Sequence, residues 1–228
     1  MIVNIPNWVE ILFLLTCIYT IIIFHISNGK PYIITLVIIL WSGLQSILAY
    51  REFYLVTDTV PPRFILVLLP ITAAVLWMTL SQKGKELISK RDLKYSTVLH
   101  LVRFPVEITL WQLYLYQMIP ELMTFEGRNF DIIIGILTPI VGFLYIKNKM
   151  SLKVLRVWNI IGLILVSFIM VNGILSAELP IQQFAFDQSS RGLNYFPFIL
   201  LPAVVVPLVI YTHITDIIKI NRLLKSAA

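Results

Sequence analysis

The chain has 228 residues, 58% of them hydrophobic and 13% charged, with a mean hydropathy of +0.87. Ordinary soluble domains are about 45–50% apolar and about 25% charged, so these values exclude a soluble enzyme, a disordered chain and a fibrous protein. The net charge of +6 would suit a nucleic-acid partner only if the basic residues lined a soluble face, and the single cysteine, Cys17, excludes an intrachain disulfide or a Cys-based metal centre.

A membrane-spanning helix needs about 20 mostly apolar residues. Seven segments qualify, and they predict seven transmembrane helices in one domain covering residues 1–228. The first runs from Trp8 to Ile26, the second from Tyr32 to Tyr50 and the third from Arg63 to Leu80. The fourth runs from Leu93 to Ile119, the fifth from Phe130 to Ile146, the sixth from Val154 to Leu175 and the seventh from Tyr195 to Ile218. The runs are continuous rather than alternating, which speaks against barrel strands and for an all-α polytopic membrane protein. No Lys or Arg precedes the first segment and no small-residue cleavage site follows it, so it is expected to remain as a helix.

Lys and Arg decide the expected orientation, because cytoplasmic loops are enriched in them. One set of loops holds Lys30, the run Lys83 to Lys94, the run Lys147 to Arg156, and Lys219, Arg222 and Lys225. The other set holds only Arg51, Arg63, Arg128 and Arg191. The N-terminus is therefore expected outside and the C-terminus in the cytoplasm. The high pI is then a topology signal, and no nucleic-acid partner is expected. The outer loops also carry Glu52, Asp58, Glu121, Glu126, Asp131, Glu178 and Asp187. Arg pairs with carboxylates in a fixed fork, so these residues either order the loops or form a recognition surface.

The fourth segment carries the chemistry. His100, Arg103 and Glu107 fall at i, i+3 and i+7, on one helical face that Thr97, Trp111 and Tyr114 extend. Counted from Lys94, Arg103 lies roughly 13 Å and Glu107 roughly 20 Å into the span. Ionisable groups at such depth usually face the protein interior or water. Arg103 and Glu107 at i, i+4 can pair directly. Either they neutralise each other, or the stripe lines a polar cavity. Pro105 is expected to kink the helix beside them, and Pro70, Pro139, Pro202 and Pro207 also interrupt spans.

The three histidines lack a paired-ligand spacing. His100 and His213 share a similar depth, which permits a common site with Asp216, but interfacial or hydrogen-bonded roles fit better. No metal and no cofactor are expected. Nucleophile-elbow, zinc-protease, P-loop and dinucleotide motifs are absent, so nothing marks the chain as an enzyme. Gly135 and Gly142 read as packing positions, and Gln45, Asn159 and Asn172 as interhelical hydrogen-bonding groups.

Several words in the chain are distinctive: VPPRF at 60–64, HLVRFPVEI at 100–108, PELMTFEGRNFDI at 120–132, QQFAFDQ at 182–188 and YFPF at 195–198. Together they resemble a family of small polytopic membrane proteins of Bacteroidota-type bacteria. The resemblance covers most of the chain. It implies location and architecture and no chemistry.

The leading functional expectation is binding or transport of a lipid headgroup, an anion or a small polar ligand, in contact with membrane lipids. The candidate site is His100, Arg103, Glu107 and Trp111, with Glu126, Arg128 and Asp131 at its mouth. Arg103 would hold an anionic group and Glu107 would balance it. One alternative is an intramembrane enzyme acting on a lipid or isoprenoid, with Glu107 or His100 as acid or base. Another is a complex subunit or assembly factor that docks a partner through the outer loops.

Overall fold

The computed structural model describes residues 5–57 and 59–226, and every regular element among them is helical. Asp58, counted above with the outer acids, lies outside the described residues. The helices are α1 (Asn7–Ser27), α2 (Tyr32–Tyr50), α3 (Ile65–Leu80), α4 (Gln82–Lys90), α5 (Leu93–Leu99), α6 (Arg103–Leu115), α7 (Asp131–Ile146), α8 (Leu152–Leu175) and α9 (Val206–Ser226).

The polarity of the bundle is inverted relative to a soluble protein. Ile11, Leu15, Ile18 and Ile22 of α1 point outward, as do Leu36, Leu40 and Ile47 of α2 and Ile160, Ile164 and Phe168 of α8. The interior holds Thr20, Gln45, Ser96, His100, Arg103, Glu107, Asn159, His213 and Asp216 beside the apolar core. Water would punish such an apolar exterior, whereas lipid accepts it. Among the described residues, four helical stretches are long and apolar enough to cross a membrane: α1, α2, α8 and Leu201–Ser226. The pair α3 and α4, bent by 73°, makes a fifth if it is one span.

The other expected spans are helical but shorter or broken. At 16 residues, α7 is about 24 Å long, less than a hydrocarbon core of about 30 Å. The fourth segment divides into α5 and α6 around a 3-10 turn at His100–Val102, and the backbone stays right-handed through it. Pro105 is the cause: it has no N–H to give Leu101, so the turn tightens just upstream. Pro207 likewise leaves a carbonyl of the last segment without its usual donor, and there the helix widens. The carbonyl it would have engaged is that of Ala203, inside a π turn at Leu201–Val205, and that oxygen accepts the Trp41 indole N–H at 3.1 Å. The freed carbonyl thereby ties α2 to the turn that leads into α9.

The sequence reading has no counterpart for α4. Its Lys83, Lys85 and Lys90 are exposed, Ser81 caps it by accepting from Gly84 N–H, and Ile88 is buried. It lies where α1 ends and α5 begins. Asp92 N–H donates to Ser27 O, and Lys219 donates to Ser89 O and Arg91 O. Leu93, Tyr145, Met150, Leu152 and Leu224 cluster beside them. The lysine-bearing turns therefore gather at one end of the bundle. At the opposite end, the 116–130 and 176–200 loops are stitched together by Gly192 N–H to Met118 O at 2.7 Å and by Gln188 to Ile119 O.

Candidate functional site

Two buried polar groups run through the bundle. The first lies toward the lysine-bearing end. Arg91 donates to Asp216 through Nε and to Asn28 Oδ1 through Nη1 at 2.7 Å. Ser96 donates to the other Asp216 oxygen at 2.7 Å. Arg91 and Asp216 are both about 1% exposed or less. Arg91, counted above among the loop cations, is buried: it sits just ahead of α5, and Asp216 of α9 draws it inward. Asp216 is engaged with Arg91 and Ser96 rather than in a site shared with the histidines.

The second group surrounds Arg103. Its Nη2 donates to Gly162 O at 2.8 Å and to His213 Nε2 at 2.9 Å, and Nη1 lies 3.1 Å from Asp131 Oδ1. A guanidinium can only donate, so His213 accepts at Nε2 and carries its proton at Nδ1. That Nδ1–H donates to Asn159 Oδ1 at 2.8 Å, while the Asn159 amide N–H donates to Leu155 O. The His100 ring stacks on His213 with centroids 3.8 Å apart and planes 8° from parallel. The direct Arg103–Glu107 pair expected from i, i+4 spacing is not formed, because Asp131 at the start of α7 supplies the carboxylate. Glu107 instead accepts from Asn129 Nδ2 at 2.6 Å through Oε1.

Glycines allow this packing. A Cβ at Gly135 would lie 2.5 Å from Phe104 N, so the absence of a side chain there lets α7 approach α6 closely. A Cβ at Gly162 would lie 2.4 Å from His213 Cε1. Gly162→Ala should therefore destabilise the protein by about 1–3 kcal/mol, as overpacking does. Gly142→Ala, whose new methyl meets only Val98 Cγ2 at 3.6 Å, should be tolerated. Thermal unfolding in detergent measures both, and equal effects would refute the assigned role of Gly162.

Beside the Arg103 group lies a cavity of about 290 Å³, walled by α3, α6, α8 and α9. Its long walls are apolar, formed by residues such as Leu68, Val106, Leu110, Val166, Ile169 and Ile210. Its polar lining is confined to Thr72, Glu107, Asn129, Asp131, Ser190 and Asn194. Arg103 and His100 stand behind this lining and do not reach it. The remaining expected site residues lie apart. Trp111 packs on Phe125 with ring centroids 5.9 Å apart, and Glu126 is exposed. Arg128 lies over the Phe184 ring at 5.6 Å, in an open loop pocket with Tyr114 and Asp187. Among the described residues, the one outer arginine with a carboxylate partner is Arg191, 3.8 Å from Glu178. No group of three or more His, Cys, Asp or Glu among them is placed to hold a metal ion.

Asn129 was missed in the sequence because asparagine in a loop word such as GRNFD reads as turn chemistry. Gly162 was missed because a lone glycine in an apolar helix carries no partner signal. Comparison with known proteins adds a family. Residues 61–221 match a family described as a domain of unknown function, DUF8737, and the chain belongs to that family. The matched region contains every residue that lines the cavity, from Phe64 to Ile214. No curated protein and no solved structure matches the chain.

Proposed function

We propose that the protein is a seven-span inner-membrane protein that binds, and in one version carries, a membrane amphiphile in the cavity between α3, α6, α8 and α9. The observation that carries this reading is the shape of the lining: long apolar walls that end at Glu107, Asn129 and Asp131. Apolar pockets with a few convergent polar groups are the usual form of a ligand site. An acyl or isoprenoid chain would lie along the walls and its head would meet the polar end. The exposed apolar faces of α3 and α8, which flank the cavity, would admit it from the bilayer.

Native mass spectrometry of protein released from nanodiscs tests the reading. The wild type should retain an amphiphile. Thr72→Trp places an indole on an exposed cavity-lining position of α3 and should expel it while leaving the melting temperature unchanged. Retention by that variant, or none by the wild type, would refute the cavity as a binding site.

The proposed topology places the N-terminus outside and the C-terminus in the cytoplasm. Its support is the gathering of the lysine-bearing turns at one end. A reporter active only in the cytoplasm should work when fused after Lys225 and stay silent when inserted at Gly127. The reverse pattern would overturn the orientation.

A further inference from the structure

The polar end of the cavity selects a charge. Among the described residues, two carboxyl groups, Glu107 and Asp131, line it, and no Lys, Arg or His does. Asn129 has no donor left for a ligand. Its amide N–H groups go to Glu107 Oε1 and to Met123 O at 3.1 Å, and its oxygen accepts from Asp131 N–H at 3.1 Å. Ser190 donates to Gly173 O at 3.1 Å. Asp131 faces Arg103. Glu107 Oε2 is different: it is buried, on a residue 1% exposed, and has no hydrogen-bond partner among the described residues. A buried carboxylate oxygen without a donor is costly, and a ligand that supplies one is favoured in proportion.

We propose that the head recognised here is a primary ammonium, carried on a single long apolar chain. This deepens the proposed cavity reading and rests on it. An ammonium donates a charge-assisted hydrogen bond to Glu107 Oε2 and offers further donors to Asn194 and Asp131. A carboxylate or phosphate head would instead face two carboxyl groups in a low-dielectric site, where like-charge repulsion is strong. The arginine of the fourth segment does not reverse this. Its Nη2 is engaged by Gly162 and His213, and its Nη1 is held toward Asp131. A hydroxyl head gives one donor and no charge, and a trimethylammonium gives charge and no donor, so each satisfies half of the requirement.

The test loads the full chain, in nanodiscs of zwitterionic lipid at neutral pH, with dodecylamine, dodecanol, dodecyltrimethylammonium or dodecanoate. Occupancy is read by native mass spectrometry, with Thr72→Trp as the blank for partitioning into lipid. Dodecylamine should be retained at least tenfold better than dodecanoate, with the other two between. Glu107→Gln should bring dodecylamine down to the level of dodecanol, with the melting temperature as a check on folding. Dodecanoate bound as well as dodecylamine, or dodecylamine unaffected by Glu107→Gln, would overturn the head assignment while leaving the cavity reading intact. No binding of any of the four above the blank would overturn both.

Discussion

Replacing Asp131 by asparagine should lower the melting temperature in detergent by on the order of 10 °C, whereas Glu107→Gln should lower it far less. The reason is the partner of Arg103. The guanidinium is 2% exposed and Asp131 is the carboxylate 3.1 Å from it. Removing one side of a buried pair leaves an uncompensated charge, which costs about 3–5 kcal/mol in water-soluble proteins. Glu107→Gln keeps an oxygen for the Asn129 amide and leaves the Arg103–Asp131 pair untouched. A double-mutant cycle makes the comparison sharp, because residues in contact couple and separated ones add. Arg103→Met with Asp131→Leu should recover much of what either single change loses. Arg103→Met with Glu107→Gln should couple more weakly, since no direct pair joins them. Strong coupling in the second cycle and none in the first would restore the local i, i+4 pair and remove the one described above.

That contrast also shows where sequence reasoning stopped. Apolar runs located the helices well: Tyr32–Tyr50 is α2 residue for residue, and Trp8–Ile26 differs from α1 by one residue at each end. Lipid imposes this, since any spanning backbone must satisfy its own hydrogen bonds. Helical periodicity also put His100, Arg103 and Glu107 on one buried face. Periodicity describes a single helix, however, and cannot say which helix lies opposite. Asp131 and His213 became partners only when α7 packed against α6 and α9 against α8, approaches that Gly135 and Gly162 permit. Trp111 was grouped with the stripe by its helical spacing, and Glu126 and Arg128 as its mouth because they follow it in the chain. The 3-10 turn at Glu121–Met123 and the loop after it carry Glu126 and Arg128 to the loop surface, and Trp111 turns to Phe125.

Arg91 and Lys90 are adjacent in a charged run, yet they should respond to mutation in opposite ways. Lys90 is exposed, and Lys90→Met should leave stability within about 0.5 kcal/mol of wild type, as surface substitutions usually do. Arg91 is 1% exposed and joins three helices: it donates to Asn28 just past α1 and to Asp216 of α9 from its own position ahead of α5. Its guanidinium carbon also lies 5.7 Å from the centroid of the Tyr211 ring. Arg91→Met should cost about 3–5 kcal/mol, because Asp216 is then left with only the Ser96 hydroxyl. Arg91→Lys should not rescue it. A point ammonium cannot reach Asp216 and Asn28 in the diverging directions that the planar fork covers. Asp216→Asn should cost a similar amount and should be partly relieved by Arg91→Met in the same chain. Thermal unfolding of these variants in one detergent decides the matter. If Arg91→Lys is as stable as wild type, the site needs only a positive charge, and the fork that ties α1 to α9 is not what holds this end of the bundle together.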